Sequence, residues 1–313
     1  MQAIMVGEFG GPQVLQPGEA PRPEPRPGDV LVRVIAAGVG PWDVSLRRGG
    51  WTGSLPYIPG GEFSGYVEGD SGADFALDPG APVYGYPGLA GCYAEYVTCQ
   101  GERLAPVPAG LSMIDAAATP IDALTAEQGL TDVLAIAPGD RVLITAAAGG
   151  LGHFAVQIAR ILGASVIATA SPQHHQFVHR LGAANVIDHT RADWPDQVRE
   201  LTGGGAERVL ACAAPTLEGA ARAARDGAII ATPVHAVVPE TQRVRWQQYN
   251  GQPSGTRLVH MAPWFDDESL VVILQARYYW QDAAEAHRVV EQGHTRGKLV
   301  LVVDEDLAAA LEG

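Results

Sequence analysis

The sequence is short of the features that would take it to a membrane, to nucleic acid or into a disulfide framework. Its 313 residues hold three cysteines, Cys92, Cys99 and Cys212. That count is odd and the spacing suits no zinc cluster, so free thiols in a reducing compartment, the cytoplasm, are expected. No run of 18 apolar residues exists, which argues against a membrane-spanning helix. Glu8 breaks the first apolar stretch, so no signal peptide is expected. Basic residues are scarce: 21 Lys and Arg stand against 35 Asp and Glu, for a net charge of −14. No basic patch emerges, which disfavours a nucleic-acid partner. What remains is 47% hydrophobic and 18% charged, the balance of a globular protein with room for two domains.

The stretch that carries chemistry is Ala146-Ala-Ala148-Gly149-Gly150-Leu151-Gly152. It follows the apolar run Val142–Ala146, launched by Pro138-Gly139-Asp140. It opens a segment where Leu151, Phe154, Ala155, Ile158, Ala159 and Leu162 recur at helical spacing. Strand, glycine-rich turn and helix in that order aim backbone amides at a phosphate. The turn alone also suits a plain strand-to-helix connection. A dinucleotide site should show its ribose-reading residue at the end of the next strand, 165–170. Ser171 stands there, and no acid occurs from Ala164 to Ala184. His174, His175, His179 and Arg180 are nearby. A hydroxyl and potential cations suit a 2′-phosphate, which points to NADPH over NADH; the same residues also suit an exposed helix face.

Residues up to about 112 read as short strands among Gly and Pro clusters, including 30–36, 65–68, 83–86 and 94–97. Helices are expected over 115–126 and 127–134. Strands at 142–146, 165–170, 185–187, 208–213 and 228–232 then alternate with helices at 151–162, 173–181, 193–201 and 216–225. That alternation predicts a parallel sheet covered on both faces. A sixth strand is expected at Arg257–Ala262, a helix at 282–292 and a last strand at 299–303.

These blocks together resemble the zinc-independent quinone oxidoreductase type of medium-chain dehydrogenase/reductase. The resemblance rests on Glu8-Phe-Gly-Gly-Pro-Gln-Val-Leu15, Pro27-Gly-Asp-Val-Leu-Val-Arg-Val34, Ala36-Ala-Gly-Val39, Ile58-Pro-Gly-Gly-Glu62, the phosphate loop with Ala155-Val-Gln-Ile-Ala159, and Gly293-His-Thr-Arg-Gly-Lys298. It implies an α/β chain: a GroES-like β-rich substrate domain over 1–116 and 264–313, and a Rossmann domain with a doubly wound parallel sheet over 117–263. It places the active site in the cleft between them.

The resemblance also assigns roles. The zinc-binding branch places ligands at Gly40 or Pro41 and at Gly61, which leaves too few for a metal; Glu62 then reads as structural. Zinc-free relatives often carry Asn at Gly40 and Tyr at Ser45. Their absence leaves Gly40, Trp42 and Ser45 as altered pocket positions. Trp42 reads as an apolar wall or core residue, Ser45 as a hydrogen-bond donor or a helix cap, and Asp43 as structural. Asp122 replaces a small residue in the block passing the nicotinamide; it is a candidate substrate or carboxamide ligand or proton donor, or else a helix-terminal carboxylate. Thr125 is expected near the nicotinamide, and Ala148–Leu151 around the pyrophosphate. Ser171, His174, His175 and His189 are expected around the 2′-phosphate, and Lys298 at the cofactor phosphates or exposed on a loop.

The implied activity is NADPH-dependent hydride transfer to a quinone or to the C=C of a conjugated carbonyl small molecule, without zinc. The alternative is an NADPH-binding protein with little catalysis, in a sensing or structural role. An exposed strand at 257–262 is expected to pair with its twofold mate in a homodimer.

Overall fold

The computed structural model describes residues 1–50, 53–69 and 77–304. The chain divides into two compact units, Met1–Ile121 with Pro253–Gly313, and Asp122–Gln252.

The first unit begins with the antiparallel pair β1 (Gln2–Val6) and β2 (Leu15–Glu19). Then come β3 (Asp29–Val39), α1 (Pro41–Ser45), β4 (Phe63–Val67), β5 (Pro82–Gly85), β6 (Tyr96–Gln100), β7 (Leu104–Pro106) and α2 (Met113–Ala117). Helix α3 (Pro120–Gln128) carries the chain into the second unit. Ser112 caps α2, its hydroxyl accepting from the Asp115 amide. Pro120 then starts α3 anew, because proline fits a first turn and not a helix interior. The helix expected over 115–126 is therefore two.

The second unit holds β8 (Arg141–Ile144), α4 (Gly150–Ile161), β9 (Ser165–Ala170), α5 (His175–Arg180), β10 (Asn185–Asp188), α6 (Trp194–Thr202), β11 (Ala206–Leu210), α7 (Leu217–Ala223), β12 (Ala224–Thr232) and β13 (Arg245–Gln248). All pairings are parallel, in the order β10-β9-β8-β11-β12-β13. The chain starts at mid-sheet, runs to one edge, then crosses to the other half. Ligands of such sheets sit outside the carboxyl ends of the strands, at the switch between β8 and β11. Leu143, Ile167, Val209 and Ile230 form the sheet's contribution to the core.

The chain returns to the first unit through α8 (Gly255–Asp266), β14 (Leu274–Tyr279), α9 (Ala283–Gln292) and β15 (Lys298–Val302). Strand β15 pairs antiparallel with β3, Leu299 opposite Val39, and parallel with β14. Leu299 and Leu301 join one core cluster and Val300 and Val302 another, the period-two pattern of a strand covered on both faces.

The sixth strand expected at Arg257–Ala262 does not exist. Those residues lie in α8, capped by Ser254, whose hydroxyl accepts the Arg257 amide. Leu258, Met261 and Phe265 are its buried positions, a spacing of three and four. Six residues rich in apolar side chains imitate a strand until the cap and that spacing are read together. The sixth strand is β13, polar and exposed along most of its length. The expected boundary at 263/264 cuts α8, which packs beside β7 in the first unit, and that at 116/117 cuts α2. Residues 305–313 of the expected substrate domain lie outside the described residues. Among the described residues no helix is long and apolar enough to cross a membrane.

Candidate active site

In the second unit, β8 ends at Ile144 and the loop turns through Ala146, whose φ of 51° is left-handed. Gly149 is the N-cap of α4, and the His153 amide bonds back to its carbonyl. The first amides of a helix lack acceptors one turn back, so those of Gly150–Gly152 are placed to meet an anion. A Cβ at Gly152 would collide with the Ala146 carbonyl, so glycine lets the helix close on the loop. A Cβ at Gly149 would meet Ala146 O at an ordinary 3.4 Å. Gly149 and Gly150 are partly exposed, as is Leu151, while Ala148 is buried.

At the ends of β9 and β10 the structure brings two expected residues together: Ser171 Oγ lies 3.2 Å from His189 Nε2. His175 Nε2 is 3.1 Å from the Ala170 carbonyl, so this ring turns back to the end of β9. His174 is half-buried. Asp188 stands beside His175 and His189, its carboxyl held below the usual range by hydrogen bonds from Thr190 and by those imidazoles. Sequence reasoning gave this acid no role because it ends β10, not β9.

On the other half of the sheet, Asp122 occupies the first turn of α3 and is buried, the place of a helix-terminal carboxylate. Thr125, one turn on, is also buried, and its carbonyl accepts the Tyr249 hydroxyl at 2.8 Å. Burial pushes the Tyr249 phenol and the Cys212 thiol well up, and the Asp122 charge adds to both shifts. His235 and Asn250, fifteen residues apart after β12 and β13, meet at 2.6 Å. No motif marks that pair, and sequence reasoning missed it.

In the first unit, Gly40 caps α1 and its amide donates to Asp43 Oδ2 at 2.9 Å. A Cβ at Gly40 would run into the Trp42 indole. The missing Asn thus has a cause: the large ring takes the space its Cβ would need. Ser45 does not begin a helix, since α1 starts at Pro41; it is the exposed last residue.

Lys298, the sole lysine of the sequence, is not on an exposed loop. It is buried at the start of β15, with Nζ 2.8 Å from Glu62 Oε1 and 4.8 Å from the Trp42 ring centroid. The ammonium expected at the cofactor phosphates is committed to a carboxylate instead. Glu62 Oε2 accepts the Ile121 amide at 2.8 Å, and glycine at 38 leaves room for this carboxylate. A Cβ at Gly61 would approach Ile121 Cδ1 at 2.9 Å and Trp42 Nε1 at 3.2 Å.

Beside this pair lies a polar group the sequence did not reveal. Asp43 is fully buried, and burial pushes its carboxyl up to about 7, against the pull of the Gly40 amide. Tyr93 Oη lies 3.3 Å from His287 Nε2. Burial depresses His287 to about 3, helped by the Arg47 charge, so it is neutral in the folded protein. The Arg47 guanidinium is paired with Glu291 and bonded to the Gly10 carbonyl.

With these features in hand, comparison with known proteins is decisive. Residues 26–109 match the alcohol dehydrogenase GroES-like domain, and 181–301 match the family described as zinc-binding dehydrogenase. The chain is 31% identical to an NAD-dependent alcohol dehydrogenase of known structure, covering 97% of this chain and 100% of that one, with a TM-score of 0.88. It belongs to the quinone oxidoreductase-like medium-chain dehydrogenase/reductases. A mycobacterial member crystallised with NADPH is 30% identical, with a TM-score of 0.87 over 97% of this chain and 100% of its own. Mouse quinone oxidoreductase is 34% identical over 207 residues, 65% of this chain and 62% of the mouse protein. The chain thus spans about three fifths of the curated relatives it matches. A GroES-like domain and a Rossmann-like parallel sheet are the family's two halves.

Proposed function

We propose that this protein is a zinc-independent, NADPH-dependent reductase acting on a quinone or on the C=C of a conjugated carbonyl compound. The observation that carries it is the end of β9: Ser171, joined to His189, occupies the place where an NAD site has a carboxylate. A hydroxyl with an imidazole can donate to a 2′-phosphate; a carboxylate would repel it. The glycine-rich turn fits a pyrophosphate, since it leaves Gly149 open and presents the first amides of α4. Ala148–Leu151 would hold the pyrophosphate, Ser171, His189 and His175 the adenosine end, and the α3 turn with Thr125 the nicotinamide.

When bound, NADPH supplies the hydride. The chain's own part is to fix the acceptor beside it and to stabilise the charge that forms on the carbonyl oxygen. Zinc does not fit. No metal-binding side chain stands at the expected ligand positions, Gly40 or Pro41 and Gly61, and Trp42 lies against both glycines. Glu62 at that place is engaged by Lys298 and the Ile121 amide. Among the described residues no three His, Cys, Asp or Glu side chains come together as ligands. Zinc needs three or four.

The absent Asn and Tyr favour a conjugated C=C over a quinone. A cytoplasmic homodimer is part of the same proposal, its exposed sheet edge being β13. Comparison of NADPH with NADH on quinones, enones, enals and enoyl thioesters tests the reading. Tight NADPH binding with no turnover on any of them would favour the non-catalytic alternative.

A further inference from the structure

We propose that His235 is a catalytic proton donor, delivering a proton to the oxyanion that hydride addition leaves on the substrate. This rests on the reductase function proposed above.

The argument starts from rigidity. His235 is exposed, in a loop after β12, where a side chain normally moves freely. Here it is fixed twice. Gln248, the last residue of β13, donates from one amide group to the carbonyls of Val234 at 3.1 Å and Ala236 at 2.9 Å, bracketing His235 on the backbone. The imidazole itself is held at Nε2 by Asn250 Oδ1 at 2.6 Å. Asn250 is in turn held through its carbonyl by the Gln252 side chain, and Gln252 is bonded twice to Gln128 of α3. An exposed imidazole locked through backbone and ring is the arrangement of a functional group held ready, not of a surface residue.

Position gives the second step. His235 and Asn250 lie past the carboxyl ends of β12 and β13, on the half of the sheet away from Ser171 and His189. A dinucleotide whose 2′-phosphate lies at the β9–β10 end runs across the switch point, with its nicotinamide toward β11–β13. The other groups on that half are poor donors. Cys212 and Tyr249 are half-buried, burial pushes both their groups up, and Tyr249 spends its proton on the Thr125 carbonyl. Asp122 is buried in the first turn of α3.

The chemistry follows. Nε2–H donates to Asn250, which leaves Nδ1 to carry the transferable proton of the imidazolium. When bound, NADPH would supply the hydride with its electron pair to the β-carbon, and the C=C electrons would move onto the carbonyl oxygen. The Nδ1–H bond of His235 breaks, an O–H bond forms at that oxygen, and the electron pair stays on Nδ1. Water then returns a proton to the neutral imidazole. With a quinone the same proton goes to the hydroquinone anion. Charged and titratable groups on the surrounding elements are Glu240 on the same loop, Arg243 and Arg245 before and on β13, Tyr249 after β13, Cys212 after β11 and Asp122 on α3. Arg243 is occupied by Asp226 at 2.7 Å.

The test uses His235→Gln and Asn250→Ala in the full chain. First, 4-nitrophenol is titrated into the NADP⁺ complex and its phenolate followed by its own absorbance, as a stand-in for the oxyanion. The unaltered protein should favour the bound phenolate. His235→Gln should weaken phenolate binding ~10-fold or more, the worth of a charge-assisted hydrogen bond, with NADP⁺ affinity and thermal midpoint unchanged. Second, turnover of a conjugated carbonyl should fall ~10²-fold in His235→Gln and recover on adding free imidazole. Asn250→Ala should fall between. Equal phenolate affinity in parent and variant, or no recovery of His235→Gln with free imidazole, overturns the role of His235. No NADPH-linked turnover in the unaltered protein overturns the reductase reading itself.

Discussion

Lys298 Nζ stands 2.8 Å from Glu62 Oε1, both side chains buried, and the second oxygen of that carboxylate holds the Ile121 amide at the start of α3. Removing one partner leaves the other buried and uncompensated, at a cost of about 3–5 kcal/mol. Glu62→Gln and Lys298→Met should each lower the free energy of urea unfolding by that order. The double substitution should be more stable than either single. Additive losses would contradict the pairing.

The same lysine offers a label. It is the only one in the chain, and its amine is enclosed. Acetylation in native buffer, followed by mass spectrometry, should mark the N-terminus and spare Lys298. In unfolding concentrations of urea both should react. Ready labelling of Lys298 in the folded chain would contradict its burial.

Asp43 and His287 pull stability in opposite directions with pH. Asp43 is raised from 3.8 to about 7, so between these values the folded state holds a proton that the unfolded state has lost. Its contribution is full below about 4 and declines as pH rises toward 7. His287 is lowered from 6.5 to about 3, so over that range the unfolded state holds the extra proton. Its contribution is full above 6.5 and declines as pH falls toward 3. Each slope is about 1.4 kcal/mol per pH unit, and from about 4 to 6.5 the two oppose each other. Asp43→Asn should therefore make stability rise with pH in that window. His287→Gln should make it fall. Parallel profiles for both variants would show that these groups do not set the slope.

Gly40→Asn would restore the side chain that relatives carry, yet its Cβ meets the Trp42 ring. A loss of about 1–3 kcal/mol from overpacking is expected, relieved when Trp42→Ala is added. No relief would mean that Trp42 is not what excludes the larger residue.

At the phosphate loop two glycines should behave differently. Gly149→Ala has room, whereas Gly152→Ala meets the Ala146 carbonyl. NADPH affinity, read by fluorescence titration, should fall much further in Gly152→Ala. Equal affinities would contradict the close approach of helix to loop.

The fold was legible where periodicity and turn chemistry agree. Glycine at 149–152 followed by Phe154, Ala155 and Ile158 on one face announces α4, and apolar runs between helices announce the parallel sheet. Ser171 could be placed because its position is counted from the loop. Helix α8 was misread because Arg257–Ala262 is short and apolar-rich, and tertiary packing on the first unit decided its state. Lys298 is expected at the cofactor phosphates or on an exposed loop because lysine is rarely buried. Its partner lies 236 positions away in the chain, where no local pattern reaches. The pairs His235–Asn250 and Tyr93–His287 were hidden for the same reason.

The central claim is NADPH-dependent reduction without zinc. It is tested most directly by following NADPH and NADH oxidation with enones, enals, enoyl thioesters and quinones, before and after treatment with a metal chelator. The account predicts faster oxidation of NADPH than of NADH with a conjugated acceptor, unchanged by the chelator. Turnover only of simple alcohols with NAD⁺, abolished by the chelator, would contradict it.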